Sequence, residues 1–166
     1  MIVLALDQAL KTSGFAIFND KKLEAWGTFD IRPTLPIEQR LQMIFQHLDT
    51  LEEKYHFTYV FFEDTQKQTN LETYKKLCYV QAAVLLWCYF KDKKYFILAP
   101  SHWRSILKDK YKINWGKARK DQKKAAQEWV KNNYDLGVEG ISEDEADAVC
   151  IGAAGILENF TKESAW

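Results

Sequence analysis

The chain has 166 residues, of which 47% are hydrophobic and 28% charged. This length and composition predict a single globular domain over 1–166 and argue against a disordered or membrane-spanning chain. Its formal net charge is zero, but the segment 108–124 carries eight basic residues against two acidic ones. That segment therefore has a net charge of +6 and the rest of the chain −6. Such segregation predicts a basic strip on an otherwise acidic protein.

The first part of the chain predicts three β-strands joined by short connections. An apolar run at 2–6 ends in Asp7, a second strand is expected at 14–18, and a turn at 19–20 precedes a third strand at 23–29. Strands that follow each other so closely pair in an antiparallel manner.

The middle of the chain predicts alternating helices and strands. Apolar residues at helical spacing indicate an amphipathic helix over 37–51, and a fourth strand follows at 59–63. A long helix is expected over 71–90 and a fifth strand over 95–99. A helix that crosses between two strands implies a parallel pair. Because the long helix is apolar on nearly all sides in its second half, it is either central to the core or covered by a partner chain.

The last part of the chain is expected to be helical, with a short helix from Ser101, another over roughly 118–133 and a final one from Ser142 to about Phe160. The complete order predicts an α/β fold with a five-stranded mixed sheet flanked by helices on both faces.

The cysteine pattern and the start of the chain favour a cytoplasmic protein. The three cysteines, Cys78, Cys88 and Cys150, form no CxxC pair, and the first residues lack the basic region of a signal peptide. We therefore expect reduced thiols. The longest apolar stretch, 77–90, is interrupted by Gln81 and is too short to cross a bilayer comfortably, so we expect no membrane partner.

Acidic residues end two of the predicted strands and mark the last helix. Asp7 closes the first strand and Glu63 the fourth, so both are expected at the rim of the sheet. Asp144 and Asp147 are three residues apart, which points both side chains to one side of the final helix. If the first and fourth strands are neighbours, that helix can lay its two carboxylates over the other two.

Structural explanations also exist for these acids. Ser142 and Glu145 have the spacing of a capping box, and acids in a first helical turn stabilise the helix dipole, which accounts for Asp144. Asp7 follows a first strand, where Asp is a common turn residue. Glu63 is followed by Asp64, and an ordinary surface acid is an alternative explanation for either residue. Asp147 is harder to explain in this way, because it lies past the first turn and is followed by apolar residues.

A cluster of four carboxylates repels itself unless cations hold it together. Oxygen ligands of this kind favour Mg²⁺ or Mn²⁺, and four carboxylates can hold two such ions about 3.5–4 Å apart for in-line hydrolysis of a phosphodiester. The products would carry 5′-phosphate and 3′-hydroxyl ends. No serine or cysteine has an obvious base beside it, and His47, His56 and His102 are scattered along the chain and are expected to be structural.

The basic strip suits a phosphate-rich substrate. Lys117, Arg119 and Lys120 stand at the start of a predicted helix, where cations oppose the helix dipole. An arrangement that costs helix stability suggests a bound anion, and helix N-termini bind phosphate well. The remaining lysines, Lys123 among them, would add attraction to a nucleic acid backbone that does not depend on sequence. The alternative is a solvated helix face.

Three motifs together resemble the RuvC family of Holliday junction resolvases, which have the RNase H-like fold. They are Asp7 with Gly14 after it, Phe-Phe-Glu at 61–63, and Asp-Glu-Ala-Asp-Ala at 144–148. The likeness spans nearly the whole chain, with the motifs in the family's order and spacing.

The resemblance implies a catalytic site with two Mg²⁺ or Mn²⁺ ions, bound by the four acids, and basic residues that approach the scissile phosphate. The catalytic residues expected from it are Asp7, Glu63, Asp144, Asp147 and Lys120. The residues expected to contact DNA are Gln66, Arg104, Lys117, Arg119, Lys120 and Lys123. The family works as a homodimer on four-way junctions, and the apolar helix 71–90 would suit the dimer interface.

The chain departs from the family pattern at three places. Residues 8–10 are Gln-Ala-Leu where the family has a Pro-Gly turn, Gln66 stands where bacterial members carry an aromatic wedge, and Arg104 replaces a lysine. We expect the catalytic core to be retained and sequence preference to be relaxed, as in a phage-type member acting in the cytoplasm of a bacterial host.

The expected function is therefore metal-dependent, structure-selective cleavage of branched DNA by paired symmetric nicks. Three alternatives remain: a nuclease for RNA or RNA–DNA hybrids, a junction-binding protein without catalysis, and an actin-like phosphotransferase. The last is disfavoured because the chain is short and has no glycine-rich phosphate loop.

Overall fold

The structure, a computed structural model, describes residues 1–138 and 140–160; residues 139 and 161–166 of the predicted domain lie outside the described residues. The strands are β1 Ile2–Asp7, β2 Thr12–Asn19, β3 Lys22–Asp30, β4 Tyr59–Glu63 and β5 Lys94–Leu98. The helices are α1 Ile37–Tyr55, α2 Leu71–Phe90, α3 Pro100–Tyr111, α4 Arg119–Asn133 and α5 Glu143–Phe160.

The strands form one five-stranded sheet in the order β3-β2-β1-β4-β5. β1, β2 and β3 pair antiparallel through short connections, whereas β4 is parallel to both β1 and β5. The parallel pairs arise because α1 and α2 return the chain to the same edge before the next strand begins. The predicted mixed sheet with helices on both faces is confirmed.

Alternate residues of β1 pack into two separate hydrophobic cores, which explains why the strand sequence is almost continuously apolar. Val3 and Ala5 face the layer of α3, α4 and α5, while Leu4 and Leu6 face α1 and α2. All four side chains are fully buried. The central strand is thus fixed from both sides, and the residue at its end, Asp7, projects from a rigid support.

Helix α5 packs unusually close to the sheet because it and the facing strands carry small residues. A Cβ atom added at Gly152 would lie 2.3 Å from the ring of Phe18, and one at Gly155 would lie 2.5 Å from the ring of Phe61. On the strand side, Gly14 of β2 lies directly against the backbone of Asp144 in the first turn of α5. Any larger side chain at these positions would push the helix away from the sheet.

Helix α2 is covered by the chain on one side only. The inner side of the helix carries the buried residues Val80, Val84 and Trp87. On its other side, Tyr89 is about three-quarters exposed and Phe90 about two-thirds exposed. The helix is therefore not central to the core, and part of its predicted apolar surface remains exposed. None of the helices within 1–138 and 140–160 is long and apolar enough to span a membrane.

Replacing Gly14 by alanine tests the close approach of α5 to β2. The new methyl carbon would lie 2.0 Å from the carbonyl oxygen of Asp144. Because backbone atoms cannot turn aside as a side chain can, we expect the free energy of unfolding to fall by about 1–3 kcal/mol in urea denaturation. Gly27→Ala is the control, since its methyl group would meet only the movable ring of Phe15 at 2.8 Å. Equal losses in the two variants would contradict this packing.

Candidate active site

The ends of β1 and β4 bring the first two acidic residues together. The parallel register pairs Leu6 with Phe62, so the next residues, Asp7 and Glu63, leave the sheet at the same edge. The side chain of Gln8 extends this pairing: its Nε2 donates to the carbonyl oxygen of Glu63 at 2.5 Å, and the Glu63 N–H donates to Gln8 Oε1 at 3.2 Å. Gln8 therefore fixes the strand end that carries Glu63 to the strand end that carries Asp7.

The capping box predicted at the start of α5 is present. The Ser142 N–H donates to Glu145 Oε2 at 2.7 Å, and the Glu145 N–H donates to Ser142 Oγ at 3.3 Å. This cap sets where the helix begins, and the helical period then turns Asp144 and Asp147 toward the strand ends. Asp147 is almost completely buried, whereas the Asp144 side chain is 41% exposed.

The ammonium group of Lys123, from α4, lies among three of the four carboxylates. Lys123 Nζ donates a short hydrogen bond to Asp147 Oδ2 and lies 3.8 Å from Asp144 Oδ1 and 3.9 Å from Asp7 Oδ2. The Lys123 side chain is only 12% exposed. The acidic cluster is thus partly neutralised by a buried cation of the protein itself.

Glu63 has a different partner on α3. Its Oε1 accepts a hydrogen bond from Trp103 Nε1 at 2.9 Å, and Trp103 is fully buried. The guanidinium of Arg104 lies 4.5 Å from the centre of the Trp103 ring and lines the same cleft. Trp115 Nε1 in turn donates to the Arg104 carbonyl oxygen at 2.9 Å, which anchors the end of this arrangement.

Burial and mutual repulsion raise the pKa of three of the acids. For Asp7 the largest cause is desolvation, followed by the charges of Asp147 and Glu63, with Lys123 opposing them. Desolvation also raises the pKa of Glu63, against the hydrogen bond from Trp103, and that of Asp147, against the charge of Lys123. The cluster therefore holds more negative charge than its surroundings stabilise, which is the condition under which a cation binds.

The four acids line one open cleft with a volume of about 380 Å³. Of the residues predicted to contact DNA, Gln66, Arg104, Arg119 and Lys123 line this cleft together with the four acids. Lys117 and Lys120 are exposed and lie outside the lining of the cleft among the described residues.

Which lysine of α4 is buried was not predicted from the sequence, although the helical period indicates it. Lys123 shares a face with Ala126 and Val130, which are buried, so its side chain is directed inward. Lys120, three residues earlier, lies at the edge of that face and is exposed. Its catalytic role stays a prediction. Gln8 and Trp103, which position Glu63, were not identified from the sequence.

The four acids fit Mg²⁺ or Mn²⁺ in chemistry, since they offer only hard oxygen ligands at the mouth of a polar cleft. Their spacing is that of a cluster closed around an ammonium: among the described residues, no group of three or more Asp, Glu, His or Cys side chains already has the geometry of a metal site. Divalent ions would therefore have to draw the carboxylates inward.

Comparison with known proteins supports the fold. No family model matches the chain, and no curated protein matches it. Among solved structures, Thermus thermophilus RuvC in complex with a Holliday junction substrate matches with a TM-score of 0.73 and 15% identity, over 97% of this chain and 96% of that one. A second structure of Thermus thermophilus RuvC gives a TM-score of 0.73 and 15% identity over 95% of both chains.

The yeast mitochondrial Holliday junction resolvase Ydc2 also matches, with a TM-score of 0.63 and 16% identity over 97% of this chain and 82% of that one. The fold is therefore the α/β fold of the RNase H-like class. More particularly, it is the fold found in RuvC, and the resemblance seen in the sequence motifs is confirmed at this level.

Replacing Asp7 by asparagine should stabilise the protein in the presence of EDTA. The substitution removes a buried charge that Asp147 and Glu63 repel, and we expect a gain on the order of 1 kcal/mol in the free energy of unfolding. Asp109→Asn, which makes the same charge change at an exposed position, should have almost no effect.

The pH dependence of this gain follows from the sign of the pKa shift. Because the pKa of Asp7 is higher in the folded state than its usual 3.8, the wild type loses stability as the pH rises above about that value. The advantage of Asp7→Asn should therefore be small near pH 4 and grow toward neutral pH. A constant or negative difference across this range would show that Asp7 is not under electrostatic stress.

Proposed function

We propose that the protein is a divalent-metal-dependent endonuclease that resolves Holliday junctions and related branched DNA by paired symmetric nicks. The observation that carries the proposal is the convergence of four carboxylates, from β1, β4 and α5, in one cleft lined by Arg104, Arg119 and Lys123. Supporting it, one neighbour with the same fold is a RuvC bound to a Holliday junction substrate.

In this proposal Asp7, Glu63, Asp144 and Asp147 hold two Mg²⁺ or Mn²⁺ ions. When bound, these ions would activate water for in-line attack on phosphorus and stabilise the departing 3′ oxygen. The protein supplies positioning: β1 and β4 fix two carboxylates at adjacent strand ends, and the capped N-terminal part of α5 fixes the other two. No side-chain nucleophile takes part, and the products carry 5′-phosphate and 3′-hydroxyl ends.

The basic residues divide into two groups by position. Arg104 and Arg119 line the cleft, where a scissile phosphate would lie. Lys117 is exposed just before α4 and suits phosphates farther along the backbone, whereas Lys120, exposed in the first turn of α4, would have to reach toward the cleft for its predicted catalytic role. Gln66 lines the cleft on the β4–α2 loop and offers amide hydrogen bonds in place of an aromatic wedge. We expect this substitution to relax sequence preference, as in a phage-type enzyme of a bacterial host.

We further propose a homodimer through α2. Its outer side forms an apolar groove of about 400 Å³ with α1, lined by Leu41, Phe45, Tyr79 and Leu86 among others. Exposed apolar side chains gathered in one groove are a feature of protein interaction sites. Two copies joined in this way would present two active sites, as paired nicks on a junction require.

A labelled four-way junction tests the proposed function. We expect paired, religatable nicks near the branch point with Mg²⁺ or Mn²⁺, and none in EDTA. Asp7→Asn and Asp147→Asn should each lower cleavage by at least about 10³-fold while junction binding is retained, because each removes a proposed metal ligand but leaves the basic residues in place.

Three other outcomes would contradict the proposal. Binding without cleavage under every metal would indicate a non-catalytic junction protein. Preferential cleavage of an RNA–DNA hybrid would indicate a nuclease for RNA. Full activity of either variant would remove the four-carboxylate site.

Sedimentation velocity tests the dimer. Leu86→Glu should shift the protein to the monomer at micromolar concentration, because it buries a charge in the proposed interface. Asn132→Glu introduces the same charge at an exposed position on α4, on the other side of the sheet, and should leave the dimer intact. A wild type that sediments as a monomer at all concentrations would contradict the interface.

A further inference from the structure

The most unusual contact in the cleft is the one between Lys123 and the acidic residues. Its ammonium touches Asp147 and lies within 4 Å of Asp7 and Asp144, and its side chain is largely withdrawn from solvent. A lysine that serves only to attract DNA would be expected to extend into the cleft, toward the phosphates. Lys123 instead points to the carboxylates that are proposed to bind metal.

We propose that Lys123 is a built-in counter-ion of the carboxylate cluster, which a divalent cation displaces when it binds. The inference rests on the proposed function in one respect only, namely that the four acids bind a divalent cation. It concerns the protein before DNA arrives, and it can therefore be tested without a nucleic acid substrate.

The positions of the oxygen atoms support an exchange. The atoms nearest the ammonium are Asp7 Oδ2, Asp144 Oδ1 and Asp147 Oδ2, which come from two different elements of the fold. Asp7, Asp144 and Asp147 would hold a divalent cation through these same oxygens, so the cation would compete with the ammonium for them. A divalent cation and the ammonium would repel each other strongly if both lay among these oxygens, so they cannot share the site.

The charge balance shows why the exchange is favourable. The cleft is lined by five carboxylates, those of the four site acids and Asp64, and by three basic side chains, Lys123, Arg104 and Arg119, so a deficit of two positive charges remains. Replacing the single positive charge of Lys123 in the cluster by divalent cations would remove that deficit. Lys123 thus keeps the acids together in the metal-free protein without saturating them.

The structure also gives Lys123 room to leave, which it does not give Arg104. Lys123 has a flexible unbranched stem and opens onto the cleft of about 380 Å³, while its backbone is held by the packing of Ala126 and Val130 on α4. Arg104 is confined by its contact with the Trp103 ring. Once displaced, the Lys123 ammonium would face the cleft, where a DNA phosphate is its natural partner.

Binding of Mn²⁺ to the DNA-free protein, followed by electron paramagnetic resonance of the free ion, tests the exchange. Lys123→Met keeps the length of the side chain and removes the competing charge, so we expect Mn²⁺ to bind about tenfold more tightly or better. The matched control is Lys124→Met, which removes the same charge from the next residue, an exposed one that pairs with Glu128 at 3.7 Å. It should bind Mn²⁺ like the wild type.

A second measurement uses the wild type alone and does not depend on the folding of a variant. In EDTA, acetylation of Lys123 by a small acylating reagent should be slow relative to Lys124, because Lys123 is buried in an ion pair. Saturating Mg²⁺ should raise the rate at Lys123 several-fold and leave Lys124 unchanged, as measured by peptide mass spectrometry.

The outcomes separate this inference from the proposed function. Junction cleavage by the wild type, together with Mn²⁺ affinity that Lys123→Met does not increase, would overturn the inference and leave the function standing. Equal tightening in Lys123→Met and Lys124→Met would also overturn it, since a general charge effect would then suffice. Absence of both Mn²⁺ binding and cleavage would overturn both.

Discussion

The close packing of α5 on the sheet is the constraint on which the rest of the site depends. Glycines at positions 14, 152 and 155 let the helix lie almost in contact with the strand backbone and the aromatic rings below it. Because the first turn of α5 is pressed against β2, the carboxylates of Asp144 and Asp147 reach the strand ends that carry Asp7 and Glu63. A helix a few ångströms higher would leave four separate surface acids.

The electrostatic cost of this arrangement explains the residues that surround it. Four carboxylates in a half-buried cleft repel one another, and the protein opposes that repulsion with Lys123 and Arg104 and with the indole N–H of Trp103. In this account the cluster is stable enough to fold but remains short of positive charge. The divalent ions proposed for this site would supply the missing positive charge.

Much of the fold follows from local patterns in the sequence. The continuous apolar run of β1, the short turns after it and the capping box of α5 predicted the strands, the antiparallel pairs and the start of the last helix. Side-chain contacts between distant elements were harder to predict. Gln8 bonds to a residue 55 positions away, and Lys123 rather than Lys120 meets the acids because of how α4 is rotated against α5. The apolar positions Ala126 and Val130 indicate the inner face of α4, but they do not show which carboxylates that face meets.

Anomalous X-ray diffraction from Mn²⁺ in crystals with a four-way junction would show directly whether the four acids bind divalent ions. We expect two manganese peaks, each within bonding distance of oxygens from the group Asp7, Glu63, Asp144 and Asp147, with the Lys123 ammonium turned away from them. Manganese bound elsewhere, or a cluster still closed around Lys123 at saturating Mn²⁺, would contradict it.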